Sequence, residues 1–238
     1  VTGQTNAVDT AATQKDSLPP IAEEKVSKAK PPQASQAGKW QINLSAGPDL
    51  SAVGIDKAGK WKMQYGIGLS YAVTKRLQIR TGLLISRKIY TADSTDYHPP
   101  KNFWSYYPNL QKIDANCLVY EIPLNVAYTF PSIKKHQWFV SAGVSSYLMK
   151  EENYDYYFKN ALGMDDYHSR SIKNENDHFF SILQLSGGYQ YNFSDRLSIM
   201  AEPYVKLPLG GVGFGKVKLN NTGVLFTLGY KPFMKKGK

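Results

Sequence analysis

Between Trp61 and Val73 every second residue is large and apolar, and the residues between them are small or polar. A period of two is typical of a β-strand with one apolar face and one polar face. The polar face consists largely of Gly, Ser and Ala, which suit a crowded barrel interior better than a surface washed by water. The segment therefore predicts a strand of a barrel wall, with a soluble two-sheet sandwich as the alternative.

The same alternation returns in seven further segments, several of them about ten residues long, which is the length a tilted strand needs to cross a membrane. The connections are short after the second, fourth and sixth strands and long after the third and fifth, and aromatic residues cluster beside the short turns. Together these features predict an all-β fold, an eight-stranded, antiparallel, up-and-down transmembrane β-barrel. The seven segments are residues 40–47, 77–86, 117–130, 138–149, 183–193, 197–207 and 224–230.

Composition sets the outer limits of the interpretation. The chain contains no apolar run near the 18 residues that a membrane helix needs, which excludes a helical membrane protein. The formal charge of +10 is scattered over turns, loops and tail, so we expect contact with anionic lipid head groups or a periplasmic partner, and no nucleic acid. Residues 1–39 lack aromatic residues and predict a disordered periplasmic linker, followed by the barrel at 40–233 and a basic tail at 234–238.

Six segments carry a resemblance to a known family: residues 113–117, 121–125, 138–143, 146–147, 201–209 and 211–213. They resemble the outer-membrane β-barrel domain family typical of Bacteroidetes, over about residues 40–233. The resemblance implies a porin-like barrel in the bacterial outer membrane. For an up-and-down barrel of eight strands we expect both termini in the periplasm. Some similar chains carry an inner-membrane helix and a cytoplasmic anti-sigma segment upstream of a comparable linker. By resemblance, a role in signalling across the envelope is therefore implied.

Five charged residues fall on the inward face of the predicted strands. An eight-stranded barrel is just wide enough for side chains to fill it, and buried charges must be paired. We therefore predict an Arg80–Glu202 pair and a Lys88–Glu121–Lys206 network that close the lumen. A proton or ion path is the alternative interpretation of the same residues.

Two prolines conflict with a regular barrel. Pro123 and Pro203 lie within predicted strands, and proline cannot donate a hydrogen bond to a ladder. We expect a β-bulge at each of them.

The two long loops, about 91–114 and 151–177, are rich in aromatic residues. Exposed aromatics on loops suit a recognition surface for an extracellular ligand or protein. The alternative is that they pack together as a cap over the barrel or lie among lipid head groups. The recognition candidates are Phe103, Trp104, Tyr106, Tyr107, Tyr156 and Tyr157.

Motifs for chemistry are weak. The glycine-rich segment 210–216 is followed by no helix that could bind a phosphate. His178 near Ser181 is the nearest approach to a catalytic pair. The acidic and histidine residues around the second long loop lack the spacing of metal ligands, and we expect no metal and no cofactor. They are Asp165, Asp166, His168, Asp177 and His178.

These observations favour a non-enzymatic outer-membrane barrel that acts as an anchored interaction or signalling module. Its expected partners are outer-membrane lipid, a periplasmic or inner-membrane protein bound through residues 1–39, and an extracellular ligand or protein bound by the loops. The alternatives are a small passive porin-like channel and a lipid-modifying enzyme.

Overall fold

The computed structural model describes residues 39–54, 57–131 and 135–232. The predicted linker, apart from Lys39, and the basic tail lie outside these residues. The strands are β1 (Trp40–Val53), β2 (Lys57–Ala58), β3 (Lys62–Ala72), β4 (Leu77–Ala92), β5 (Leu110–Thr129), β6 (His136–Lys159), β7 (Asp165–Ile172), β8 (Asp177–Asn192), β9 (Leu197–Pro208) and β10 (Leu219–Tyr230). One short helix, α1, spans Phe103–Tyr106. No helix in the described part of the chain is long and apolar enough to cross a membrane.

Eight of these strands form a closed antiparallel barrel. Each pairs with the next along the order β1, β3, β4, β5, β6, β8, β9 and β10, and β10 pairs back onto β1. The closing ladder runs from Ile42 opposite Tyr230 to Val53 opposite Leu219. Closure leaves these eight strands without a free edge over the paired region, and it confirms the predicted eight-stranded antiparallel barrel. The two additional strands lie beside the barrel wall, β2 against β1 and β7 against β6.

Side chains alternate between the two faces of the wall as the sequence predicts. On β1 the odd-numbered residues from Gln41 to Val53 are buried inside, while Ile42 and Leu44 are exposed outside. The other barrel strands repeat this pattern, so a continuous band of Leu, Ile, Val and aromatic side chains faces outward. Aromatic pairs such as Trp40–Tyr71 and Trp138–Tyr189 border this band at the end of the barrel that carries the short turns.

The expected bulges at the two prolines are absent from the ladders. Opposite Pro123 the pairing of β4 with β5 is interrupted, but the pairs on either side, Thr81–Leu124 and Leu84–Glu121, keep one register. Pro203 interrupts the β8–β9 ladder in the same way, with the register unchanged. Proline lacks an N–H group, so a ladder bond is lost, yet no residue is inserted. Bulges occur instead on β5–β6 between Leu118 and Val119 and on β6–β8 between Ser145 and Tyr147.

The prediction of two long irregular loops is wrong over much of their length. β5 has 20 residues and β6 has 24, about twice what a membrane crossing requires. Residues 110–114 and 151–159 therefore belong to the wall, and β7 adds a strand to β6. At this long-loop end the barrel encloses a hydrophobic core that includes Tyr90, Ile113, Met149 and Val217.

Candidate functional site

Two layers of ion pairs cross the lumen, and the first joins β4 to β9. Arg80 Nη1 donates to Glu202 Oε2 at 3.0 Å, and Ser186 Oγ donates to the other carboxylate oxygen at 2.6 Å. The guanidinium carbon lies 4.4 Å from the ring centroid of Phe139. The structure thus brings together the two residues that the sequence predicts as a pair, and it adds a hydroxyl and an aromatic face that hold them in place.

The second layer lies closer to the long-loop end and differs from the prediction. Lys206 Nζ donates to Glu121 Oε2 at 2.6 Å, but Lys88 binds Asp49, with Nζ 2.7 Å from Oδ2. The expected three-residue network of Lys88, Glu121 and Lys206 is therefore replaced by two separate pairs. Asp49 lies outside the predicted first strand, which ends at Gly47, whereas β1 continues to Val53. The alternation that buries Asn43 and Ser45 also places Asp49 inside, and this was the signal that could have found it.

These four charges are buried and balanced. The side chains of Asp49, Lys88 and Glu121 are fully buried, and that of Lys206 is 1% exposed. Tyr204 donates from its hydroxyl to the second Asp49 oxygen at 2.7 Å. Two ammonium groups face two carboxylates, so the layer carries no net charge, which is the condition under which buried ions are tolerated.

A small cavity adjoins the Arg80–Glu202 layer. Its volume is about 70 Å³, and its lining includes Asn125, Gln184 and Met200. Asn125 Oδ1 and Gln184 Oε1 are buried there without a hydrogen-bond partner among the described residues. The volume corresponds to about two water molecules, since each occupies roughly 30 Å³ in the liquid, and water would satisfy both oxygens.

Aromatic side chains close the long-loop end of the lumen. The rings of Tyr97, Phe103 and Tyr156 contact one another at centroid distances of 5.1 to 6.0 Å, and the Tyr97 and Tyr156 hydroxyls are 2.7 Å apart. Burial raises the pKa of Tyr97 well above its ordinary value. Gly215 packs directly on the Tyr97 ring, where an added Cβ would approach within 1.9 Å of a ring carbon. We call this aromatic cluster, with the loop at residues 209–218 that covers it, the cap.

A buried glutamate fixes the cap loop. Glu152 Oε2 accepts the backbone N–H of Phe214 at 2.9 Å and the Tyr154 hydroxyl at 2.5 Å. The adjacent Gly213 N–H donates to His178 Nε2 at 2.8 Å. Sequence reasoning missed Glu152 because it placed this residue in an irregular loop, whereas the structure places it on the inner face of β6.

The aromatic recognition candidates divide into two groups. Phe103 and Tyr156 are buried and Tyr107 is partly buried, so the cap, the alternative interpretation, describes these three residues. Their burial removes Phe103 and Tyr156 from any contact surface. Trp104, Tyr106 and Tyr157 are exposed, Tyr106 to 74%.

The residues considered for chemistry are held in structural contacts. The Ser181 hydroxyl donates to the His178 backbone carbonyl, and His178 Nε2 accepts from the Gly213 N–H, so each group is engaged with the backbone. Within residues 39–54, 57–131 and 135–232, no three His, Cys, Asp or Glu side chains form a cluster able to hold a metal ion.

Comparison with known proteins gives a likeness of fold only. No family model and no curated protein match the chain. Among solved structures, Neisserial surface protein A has a TM-score of 0.46 at 13% identity, covering 81% of this chain and 97% of that one. Ail, the attachment invasion locus protein of Yersinia pestis, has a TM-score of 0.42 at 11% identity, with coverages of 81% and 99%. The outer membrane protein AlkL has a TM-score of 0.35 at 12% identity, with coverages of 94% and 99%.

Proposed function

We propose that this chain is a bacterial outer-membrane barrel with a closed lumen, which anchors an interaction surface outside the cell. The outward band of apolar side chains supports membrane insertion, because soluble proteins rarely expose a contiguous apolar surface of this extent. Aromatic residues border the band at the short-turn end, as at a membrane interface. Short turns are typical of the periplasmic side, which would place both chain ends in the periplasm.

The main support for a closed lumen is the presence of two layers of buried ion pairs beneath the cap. Arg80–Glu202, Lys88–Asp49 and Lys206–Glu121 place three buried ion pairs across the lumen. A charge held at 2.6 to 3.0 Å by its counter-ion leaves little space for hydrated ions to pass. The lumen therefore acts as the rigid interior of an anchor.

The part of the wall beyond the apolar band supplies the interaction surface. β5 and β6 continue past the band for about the length of a second crossing, and the cap packs against their inner face. The recognition candidates that are exposed in this region are Trp104, Tyr106 and Tyr157. Aromatic residues on a rigid support suit protein recognition, because little side-chain entropy is lost on binding.

The proposed function includes a role in signalling and no catalytic activity. A linker at residues 1–39 would connect the anchor to a periplasmic or inner-membrane partner, as the family resemblance implies. We assign no catalytic step, because the nearest serine and histidine, Ser181 and His178, are bound to backbone groups.

The alternative function is a passive channel, which the cavity beside Arg80 favours. Conductance measured across a planar bilayer distinguishes the two functions. We expect full-length protein to give no uniform conductance steps, with insertion verified by the faster gel migration of unheated barrel. Stable steps of a single size from inserted protein would overturn the closed lumen. Turnover of labelled phospholipid that is lost in Ser181→Ala would overturn the absence of catalysis.

A further inference from the structure

Strand β7 has an unpaired edge. Its eight residues pair with β6 in one continuous register, from Glu152 opposite Ile172 to Lys159 opposite Asp165. No other strand pairs with β7 in the described chain, and residues 165–171 are all exposed. About half of its backbone N–H and C=O groups therefore point away from β6 with no strand to receive them. Such an edge is a template for a further strand.

Two charges on this strand lack an ion-pair partner among the described residues. Asp166 and Arg170 share one face of β7, the face on which His168 pairs with Tyr156 of β6. The Arg170 guanidinium lies 4.3 Å from the centroid of the Phe214 ring in the cap, which holds it on that face. A stacked guanidinium can still donate from its edge to a carboxylate.

Two copies of β7 are complementary when they pair antiparallel with His168 of one copy opposite His168 of the other. The two-fold axis that relates the copies then passes midway between these two residues. In that register Asp166 lies opposite Arg170 of the second copy, and Arg170 lies opposite Asp166. Tyr167 lies opposite Ser169, and Asp165, already bound to Lys159 at 2.7 Å, lies opposite Ser171. No two like-charged carboxylate or guanidinium groups face each other, so charge complementarity selects a second copy of this chain as the occupant.

The direction of β7 determines where the second copy is. β7 is antiparallel to β6, which runs continuously from the short-turn end of the barrel to the long-loop end. The two-fold axis of an antiparallel pair is perpendicular to the sheet, and it exchanges the two ends of the barrel. Two copies in one membrane have the same orientation, so they cannot be related in this way.

We propose that β7 pairs with β7 of a second copy anchored in a facing outer membrane, forming a homophilic contact between cells. The inference rests on the outer-membrane location proposed above. The partner that binds the external part of the barrel is then a second copy of the same protein.

Vesicle clustering with exchanged charges tests the contact. Full-length protein is reconstituted into liposomes and clustering is followed by light scattering. We expect wild-type vesicles to cluster, and Asp166→Arg or Arg170→Asp vesicles each to cluster about tenfold more slowly or less, because two attractions become two repulsions. The double variant should cluster again. A mixture of the two single variants should also cluster, because each then presents the complement of the other. Glu175→Arg, an exposed residue outside β7 with the same charge change, should behave as wild type.

Sedimentation in detergent separates failure of this inference from failure of the membrane location. If the protein does not insert but dimerises with the same charge dependence, the β7 pairing stands and the membrane location fails. If inserted wild-type protein neither clusters nor dimerises, or if all variants cluster equally, β7 does not pair with itself and the inference is overturned. Clustering by the double variant but not by the mixture would also overturn it.

Discussion

Replacing Glu121 by Gln should destabilise the barrel more than any exposed charge substitution. The change leaves the Lys206 ammonium, whose side chain is 1% exposed, without its counter-ion at 2.6 Å. The next acceptor, Gln64 Oε1, is neutral and 3.4 Å away. The Asp49 carboxylate is already bound to Lys88 at 2.7 Å. Breaking a buried pair in this way costs about 3–5 kcal/mol, so we expect a loss in that range.

A second substitution shows that the loss comes from the unpaired charge. Lys206→Met in the Glu121→Gln background removes the ammonium and keeps a similar length, and replacing a buried pair by neutral groups is often close to neutral. We therefore expect the double variant to regain most of the lost stability. Lys159→Gln breaks a pair of similar length, 2.7 Å, whose side chains are 41% and 80% exposed. It should change stability by about 0–1 kcal/mol.

The assay is equilibrium unfolding in urea from lipid vesicles, with the folded fraction read from the gel mobility of unheated samples. A cost for Glu121→Gln no larger than that of Lys159→Gln would refute the buried pair. So would a double variant less stable than the single one, because the ammonium would then not be the source of the loss.

Three further predictions concern the wall, the cap and the outer turns. Leu69→Arg should lower folding stability in vesicles by roughly 2–4 kcal/mol, whereas Leu69→Ala should insert normally. Gly215→Ala should loosen the cap and expose the loop to protease, whereas Gly210→Ala, with no atom within 4 Å of the added Cβ, should not. Hydrogen bonding to Lys57 holds the pKa of Asp93 below its ordinary value of 3.8. The stabilisation from that contact should therefore be complete above about pH 4 and should decline as the pH falls further toward the lowered pKa of Asp93, seen as faster amide exchange.

The sequence predicted the barrel well because its main determinant is local. Which face a residue takes follows from the period of two. This rule places the buried Lys88, Glu121, Glu202 and Lys206 inside, together with Arg80, whose side chain is 13% exposed. Pairing between strands could be inferred only from position along the barrel. That inference placed Arg80 and Glu202 together, but it assigned Lys88 to the wrong acid.

The part outside the apolar band was harder to predict because it loses the contrast between the two faces. In β6 beyond Met149 the outward residues include Glu151, Asn153 and Asp155, and the inward ones include Tyr154 and Tyr156. A bulge at Lys150 also shifts the alternation by one residue, which makes a strand resemble an irregular loop. Glu152 and the unpaired edge of β7 were missed for this reason.

Spin labels on neighbouring residues of the wall test the membrane-spanning, closed barrel most directly. In a Cys117→Ser background, labels at the outward Leu69 and Phe226 are compared with labels at the inward Ser70 and Thr227 in reconstituted bilayers. The outward labels should be relaxed by oxygen dissolved in the lipid and shielded from a water-soluble nickel complex, and the inward labels should be shielded from both. Access of the nickel complex to Leu69 and Phe226 would contradict membrane insertion. Its access to Ser70 and Thr227 alone would contradict the closed lumen.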